Sequence, residues 1–293
     1  MNGSPSIETW ADWNGEIVPL KDLRVSVQDR AFLFGDAAYE VIRIYGGRPW
    51  RFAEHLDRLA HTLREMRITL ELDALERRAL ALLDLSRVRE GQIYCQISRG
   101  VAKRSHAFPS SAPNQLIYVE AITSDVFAPY RESGISVVTI DDQRWGRRDL
   151  KTVNLLPNCM ARQSALDAGA QDAIFVERPG MERAGTVTEA TAANVFLVRE
   201  DGVLLTCPCG PWILAGVTRA FVIELARKLG FRPEEAPFPK EALFSASEVF
   251  LTGTISEVLP VTRIDGKIVG NGKPGPVTHA LSRAFREAVE RNG

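Results

Sequence analysis

The stretch Gly146-Arg147-Arg148-Asp149-Leu150-Lys151-Thr152-Val153-Asn154-Leu155-Leu156-Pro157-Asn158-Cys159-Met160-Ala161-Arg162-Gln163 sets the terms for the rest of the chain. At its centre Lys151 stands between Leu150 and a run that soon turns apolar. A partly desolvated lysine amine loses proton affinity. It then becomes a nucleophile able to form a Schiff base with a carbonyl. Taken alone, Lys151 reads first as a surface lysine at the head of a helix, because lysines are seldom buried.

Working outward, three more segments bear on that choice. They are Val187-Thr188-Glu189-Ala190-Thr191-Ala192-Ala193-Asn194-Val195-Phe196, then Ile213-Leu214-Ala215-Gly216-Val217-Thr218-Arg219, then Phe250-Leu251-Thr252-Gly253-Thr254. Together with 149–158, in this order and spacing, they resemble the class IV (fold type IV) aminotransferases, which use pyridoxal 5'-phosphate. The resemblance spans nearly the whole chain. It implies that Lys151 holds the cofactor as a Schiff base and moves the substrate proton. It implies that Glu189 faces the pyridine nitrogen, where a carboxylate stabilises the protonated ring. Arg58, in Glu54-His55-Leu56-Asp57-Arg58-Leu59, matches the family's phosphate arginine, whose fork suits a phosphate. Gly216-Val217-Thr218 opens a predicted helix, so its N–H groups and the Thr218 hydroxyl can face that phosphate. The resemblance also implies that Thr254 adds a hydroxyl and that Leu214 packs on the ring face. A capping or surface role for Glu189, and a helix-surface ion pair for Arg58, are the plainer alternatives.

Specificity rests on a long loop. Arg99-Gly100-Val101-Ala102-Lys103-Arg104-Ser105-His106-Ala107-Phe108-Pro109 resembles the D-amino acid branch of the family. By that resemblance Arg104 and His106 serve the neighbouring subunit's site in a homodimer and, with Tyr39, hold the substrate carboxylate. An arginine fork, a second donor and a phenol around one carboxylate are chemically coherent; a solvated basic loop is the alternative. The implied reaction moves the amino group of D-alanine or a similar D-amino acid to 2-oxoglutarate, giving pyruvate and D-glutamate. Relatives on the same fold are aminodeoxychorismate lyase and the (R)-amine and branched-chain L-amino acid transaminases. Three features depart from the family pattern. Arg43 stands where D-specific members often carry lysine, Ala192 and Ala193 replace hydroxyl residues, and Gly253 replaces a serine.

Composition is ordinary for a soluble globular protein. The chain has 293 residues, 45% hydrophobic and 25% charged, with a formal net charge of −1. That balance argues against bulk nucleic-acid binding or an electrostatic membrane anchor. No apolar run is long enough to span a bilayer, and residues 1–8 lack a signal-peptide pattern, so a cytoplasmic location is expected. Cys95, Cys159, Cys207 and Cys209 are expected as free thiols, since Cys-Pro-Cys has neither redox nor zinc spacing. No metal site is expected.

The pattern of elements predicts an α+β fold in two domains. A small N-terminal α+β domain (1–122) would hold a hairpin over 7–20 about Asn14-Gly15, strands at 38–45 and 49–52, helices at 54–66 and 73–89 with Asp73 as N-cap, and strands at 91–99 and 115–122. Residues 123–134 read as a linker. A larger, barrel-like C-terminal domain (135–293) would carry the cofactor lysine. Its helix at 217–229 should stop at Gly230.

Overall fold

The computed structural model describes residues 9–292. Residues 7–8 of the predicted hairpin, and the 1–8 segment read for a signal peptide, lie outside them. The chain divides into two compact units. One runs to Ser124 and also takes in Leu150–Asn154; the other comprises Asp125–Asp149 and Leu155–Asn292.

The first unit opens with β1 (Trp10–Trp13) and β2 (Glu16–Pro19), joined where the sequence predicted. Asn14 and Gly15 take the positive φ values, 54° and 98°, that such a turn demands. A short helix, α1 (Arg30–Phe34), follows, capped by the Asp29 side chain on the Ala31 N–H. Next come β3 (Ala37–Tyr45), β4 (Arg48–Pro49), α2 (Phe52–Glu65), α3 (Leu72–Ser86), β5 (Gly91–Ser98) and β6 (Asn114–Ala121). The six strands form one sheet in the order β2-β1-β6-β5-β3-β4. Its core face carries Ala38, Ile42, Ile44, Ile93 and Ile97 against Leu56, Leu59 and Leu63 of α2 and Leu75 and Leu82 of α3. These are the period-2 and period-3.6 positions of the sequence. Each fully buried leucine contributes roughly 2 kcal/mol relative to exposure. The other face bears an aromatic row, Tyr39 stacked on Tyr94 and Tyr94 on Tyr118. Asp73 is not the N-cap of α3: the helix starts at Leu72, so Asp73 falls within its first turn, where its charge still suits the helix dipole.

In the second unit, part of the predicted linker is helix α4 (Ala128–Ser133). Then come β7 (Ile135–Asp141), α5 (Leu156–Asp167), β8 (Asp172–Val176), β9 (Val187–Ala190), β10 (Asn194–Val198), β11 (Val203–Thr206), α6 (Val217–Lys228), β12 (Arg232–Glu235), β13 (Glu248–Gly253), β14 (Glu257–Ile264), β15 (Lys267–Ile268) and α7 (Pro276–Asn292). The expected barrel is present as a closed ring: β10-β13-β14-β7-β8-β9 returns to β10 through the pair Asn194–Glu189. Its apolar filling includes Val137, Ile174, Val195, Leu197, Leu251 and Leu259. α6 ends at the expected place, ahead of Gly230 at φ 81°, and packs on α7 through Phe221 and Phe285.

One expectation fails on connectivity. The lysine segment Leu150–Asn154 belongs to the first unit, not to the C-terminal one. It runs along β3 as an extra edge: Tyr39 N–H donates to Lys151 O at 3.0 Å, Val153 N–H to Ala37 O at 3.1 Å, and Ala38 pairs with Thr152. Backbone hydrogen bonding claims the segment for the β3 edge, which periodicity could not reveal.

The α7 N-terminus supplies a stability test. Glu248, 6% exposed, accepts from Val277 N–H at 3.0 Å, Thr278 N–H at 2.8 Å and Thr278 Oγ1 at 2.6 Å. Glu248→Ala should lower unfolding stability by about 2 kcal/mol, as loss of a strong cap does, measured by urea denaturation.

Candidate active site

In the first unit, Lys151 is half-buried. Its backbone N–H donates to Thr62 Oγ1 at 3.2 Å, and its amine lies 4.3 Å from the Tyr39 ring centroid. Tyr39, predicted as a substrate ligand, and Lys151, predicted as the nucleophile, are therefore neighbours on the β3 edge.

Arg58 projects from α2 onto Glu40 of β3. Nε donates to Oε1 at 2.7 Å and Nη2 to Oε2 at 2.8 Å, while His55 Nδ1 lies 2.8 Å from Oε2. Glu40 is fully buried in phase with Ala38, Ile42 and Ile44. A charge on an apolar strand face must be paired, and that phase was the sequence signal for this cluster. Burial alone would raise the Glu40 carboxyl; the Arg58 charge and fork, with His55, instead hold it at about 2. Burial depresses His55, against the pull of its Glu40 bond. Arg43, noted as a departure, gives its guanidinium to Ile44 O, Gly91 O and Glu90.

The loop residues gather about Phe34 of α1 on the first unit. Arg104 and His106 are exposed. The Arg104 guanidinium sits 5.2 Å from the Phe34 ring centroid, and the His106 ring 5.8 Å from it.

In the second unit, Glu189 is 6% exposed at the seam of the ring. Oε1 is paired with Arg144 Nη1; Oε2 accepts from Asn194 Nδ2 at 3.2 Å and Leu214 N–H at 3.1 Å. Asn194 Nδ2 also donates to Leu214 O at 2.9 Å. Glu189 thus fixes the 213–216 turn, rather than serving as a surface or capping residue. Behind it runs a buried ladder of alternating charge. Arg144 pairs with Asp142, and Arg148 with Asp142 and Glu177. Burial pushes the Glu189 carboxyl above the ordinary carboxylate range, against the downward pull of Arg144. Burial works against both charges, yet Glu189 and Asp142 keep Arg144 firmly cationic, and Arg144 and Arg148 hold Asp142 below the ordinary carboxylate range. The ladder had no place in the sequence expectations; its trace is the charge-dense run just before Lys151.

Val217 and Thr218 are the first two residues of the twelve-residue helix α6, both buried. Gly216 before them is required by space: a Cβ there would lie 2.0 Å from Asn194 Oδ1. Thr254 is half-buried just past β13. A Cβ at Gly253 would meet Ser256 Oγ at 2.8 Å, so Ser256 takes the space a serine at 253 would use. All four cysteines are free, Cys95 and Cys207 buried, Cys159 and Cys209 exposed. No helix of the described residues is long and apolar enough to cross a membrane.

The Glu40 cluster fixes a pH signature. A folded-state value near 2, below the ordinary 4.5, means the stabilisation is complete above about pH 4.5 and is lost as pH falls towards 2. Glu40→Gln should therefore cost about 3 kcal/mol at pH 7, the scale for breaking a buried pair. Denaturant titrations of both proteins should show that gap shrinking between pH 4 and 2.

Comparison with known proteins gives a consistent family. Residues 37–264 match the model of amino-transferase class IV. D-alanine aminotransferase of Bacillus licheniformis is 38% identical over 281 residues, covering 94% of this chain and 96% of that one. The Staphylococcus aureus (strain COL) enzyme of the same name is 36% identical with the same coverage. Among solved structures, the Escherichia coli branched-chain amino acid aminotransferase superposes with a TM-score of 0.87 at 27% identity, over 96% of this chain and 94% of that one. A second branched-chain amino acid aminotransferase, that of T.th., solved with pyridoxamine 5'-phosphate, gives 0.87 at 26% identity over the same shares.

Proposed function

Since the chain belongs to the class IV aminotransferases, and so is a pyridoxal-phosphate-dependent aminotransferase, we propose that it transfers the amino group of D-alanine or a similar D-amino acid to 2-oxoglutarate. The observation that carries this reading is the run of D-alanine aminotransferase relatives at 36–38% identity over 94% of the chain. The loop bearing Arg104 and His106 supports it chemically.

The residues present fit the cofactor. α6 starts directly after Gly216 with no side chain capping its first N–H groups, and an uncapped helix N-terminus suits an anion. Bound pyridoxal phosphate supplies the electron sink that takes up the pair left when the substrate Cα–H bond breaks. Lys151 would hold the cofactor through its Nζ and would carry the substrate proton at that same atom. Glu189, fixed by Arg144, Asn194 and the Leu214 N–H, would supply the carboxylate that stabilises a protonated ring nitrogen. Arg58, oriented by its fork on Glu40, supplies positive charge to the phosphate. The Val217 and Thr218 N–H groups and the Thr218 and Thr254 hydroxyls supply its donors, and Leu214 covers the ring. Tyr39, Arg104 and His106 grip the substrate carboxylate, the last two in the neighbouring subunit of a homodimer.

The test is a half-reaction on cofactor-loaded protein. D-alanine should bleach the absorption band of the bound cofactor, 2-oxoglutarate should restore it, and L-isoleucine and (R)-1-phenylethylamine should leave it unchanged. A response to L-isoleucine without one to D-alanine would overturn the donor assignment. Lys151→Ala should abolish turnover. Glu189→Gln should keep cofactor yet lose about 100-fold or more in kcat, on the scale of a lost electrostatic partner in the transition state.

A further inference from the structure

Arg104 and His106 are exposed side chains on the loop between β5 and β6, and holding such groups in one place costs conformational entropy. The structure shows what restrains them: α1 and the residues that flank it. Arg30 N–H donates to Gly100 O at 3.0 Å, Ala102 N–H to Gln28 O at 3.4 Å, and Arg99 N–H to Asp36 O at 3.1 Å. Asp29, 1% exposed, accepts from Ser98 Oγ at 2.8 Å and Asn114 Nδ2 at 2.6 Å, so one carboxylate ties both ends of the loop to the cap of α1.

Asp36 does the equivalent for the middle of the loop. Its Oδ2 accepts from Arg30 Nε and Arg99 Nε, each at 2.7 Å, and its Oδ1 from Arg99 Nη2 at 3.0 Å. Arg30, 3% exposed, then donates from Nη1 to the Ser105 carbonyl at 2.6 Å. Ser105 is the residue between Arg104 and His106. Arg99, 5% exposed, lies 3.6 Å from the Phe108 ring centroid and also donates to Met66 O at 2.7 Å. Arg30 in turn sits 4.6 Å from the Phe34 ring that Arg104 and His106 share. Burial would raise the Asp36 carboxyl; Arg99 and Arg30 hold it below the ordinary range, so it stays charged at neutral pH.

We propose that Asp36 is a positioning residue for the substrate-carboxylate grip: through Arg30 to the Ser105 carbonyl, and through Arg99 to Phe108, it sets where Arg104 and His106 stand. This rests on the reading of those two residues as carboxylate ligands. Neutralising Asp36 takes the shared negative charge and one acceptor oxygen from two buried guanidiniums, loosens the hold of the Arg30 fork on Ser105, and with it 104–108, while the lysine and cofactor residues stay as they are.

The experiment compares cofactor-loaded wild type with Asp36→Asn in two ways. Limited trypsin digestion, read by mass spectrometry, reports cleavage after Lys103 and Arg104. Steady-state kinetics report KM and kcat for D-alanine with 2-oxoglutarate. The variant should be cut about tenfold faster in the loop and show a D-alanine KM raised about tenfold. Its kcat should stay within about threefold and its cofactor band should be unchanged. Unchanged cleavage or unchanged KM overturns the proposal, as does loss of cofactor together with kcat, which marks a general loss of structure. Should Asp36→Asn fail to fold, Arg30→Lys, which keeps the charge but loses the fork between Asp36 and Ser105, decides between the same outcomes. A wild type inert towards D-alanine would refute the donor assignment; the cleavage comparison would still decide whether Asp36 holds the loop.

Discussion

A carboxylate buried at the seam of a closed sheet is the constraint on which much of the second unit depends. The ring β10-β13-β14-β7-β8-β9 closes through the single pair Asn194–Glu189. Neither side chain there is apolar. Closure by such residues is tolerable only if their polar atoms are satisfied, because an unpaired buried charge is far costlier than an unmade apolar contact. Arg144, the Leu214 N–H and the Asn194 amide supply those partners. The ladder through Asp142, Arg148 and Glu177 then balances Arg144 in turn. One requirement therefore fixes the seam, the turn before α6 and the side chain assigned to the pyridine nitrogen.

The first unit applies the same rule at a smaller scale. Glu40 occupies a place on β3 whose neighbours in phase are apolar, and α2 answers with Arg58 and His55. A guanidinium clamped along one edge loses rotamer freedom before any ligand arrives. Less entropy is then left to lose on binding. Lys151 is constrained differently, by its backbone on β3, with the side chain resting on Tyr39.

The fold was legible where periodicity carries information. Leu56, Leu59 and Leu63 marked α2; Asn14-Gly15 marked a turn; Gly230 marked the end of α6. The short elements were not: α1 has five residues, β12 and β9 four each, too few for a period to show. The candidate site was proposed from residue types in order, since Lys151, Glu189, Thr218 and Arg58 lie in segments with local signatures. Their partners were not, because Arg144, Asp142, Glu40 and Asp36 act through contacts that no local pattern encodes. The unit assignment of Lys151 was hidden for the same reason: a backbone ladder is indifferent to side-chain type.

That ladder has a consequence for biogenesis. The chain leaves the first unit at Ser124, runs through Asp125–Asp149, returns for Leu150–Asn154 and leaves again. No single cut separates the two units, so neither can be expressed intact as one continuous fragment free of residues of the other. During synthesis, the edge of β3 waits for its last partner until residue 154 has cleared the ribosome, about 30 residues after the rest of that sheet is available. The nascent chain thus exposes an unpaired strand edge in that interval, the kind of surface that invites mispairing.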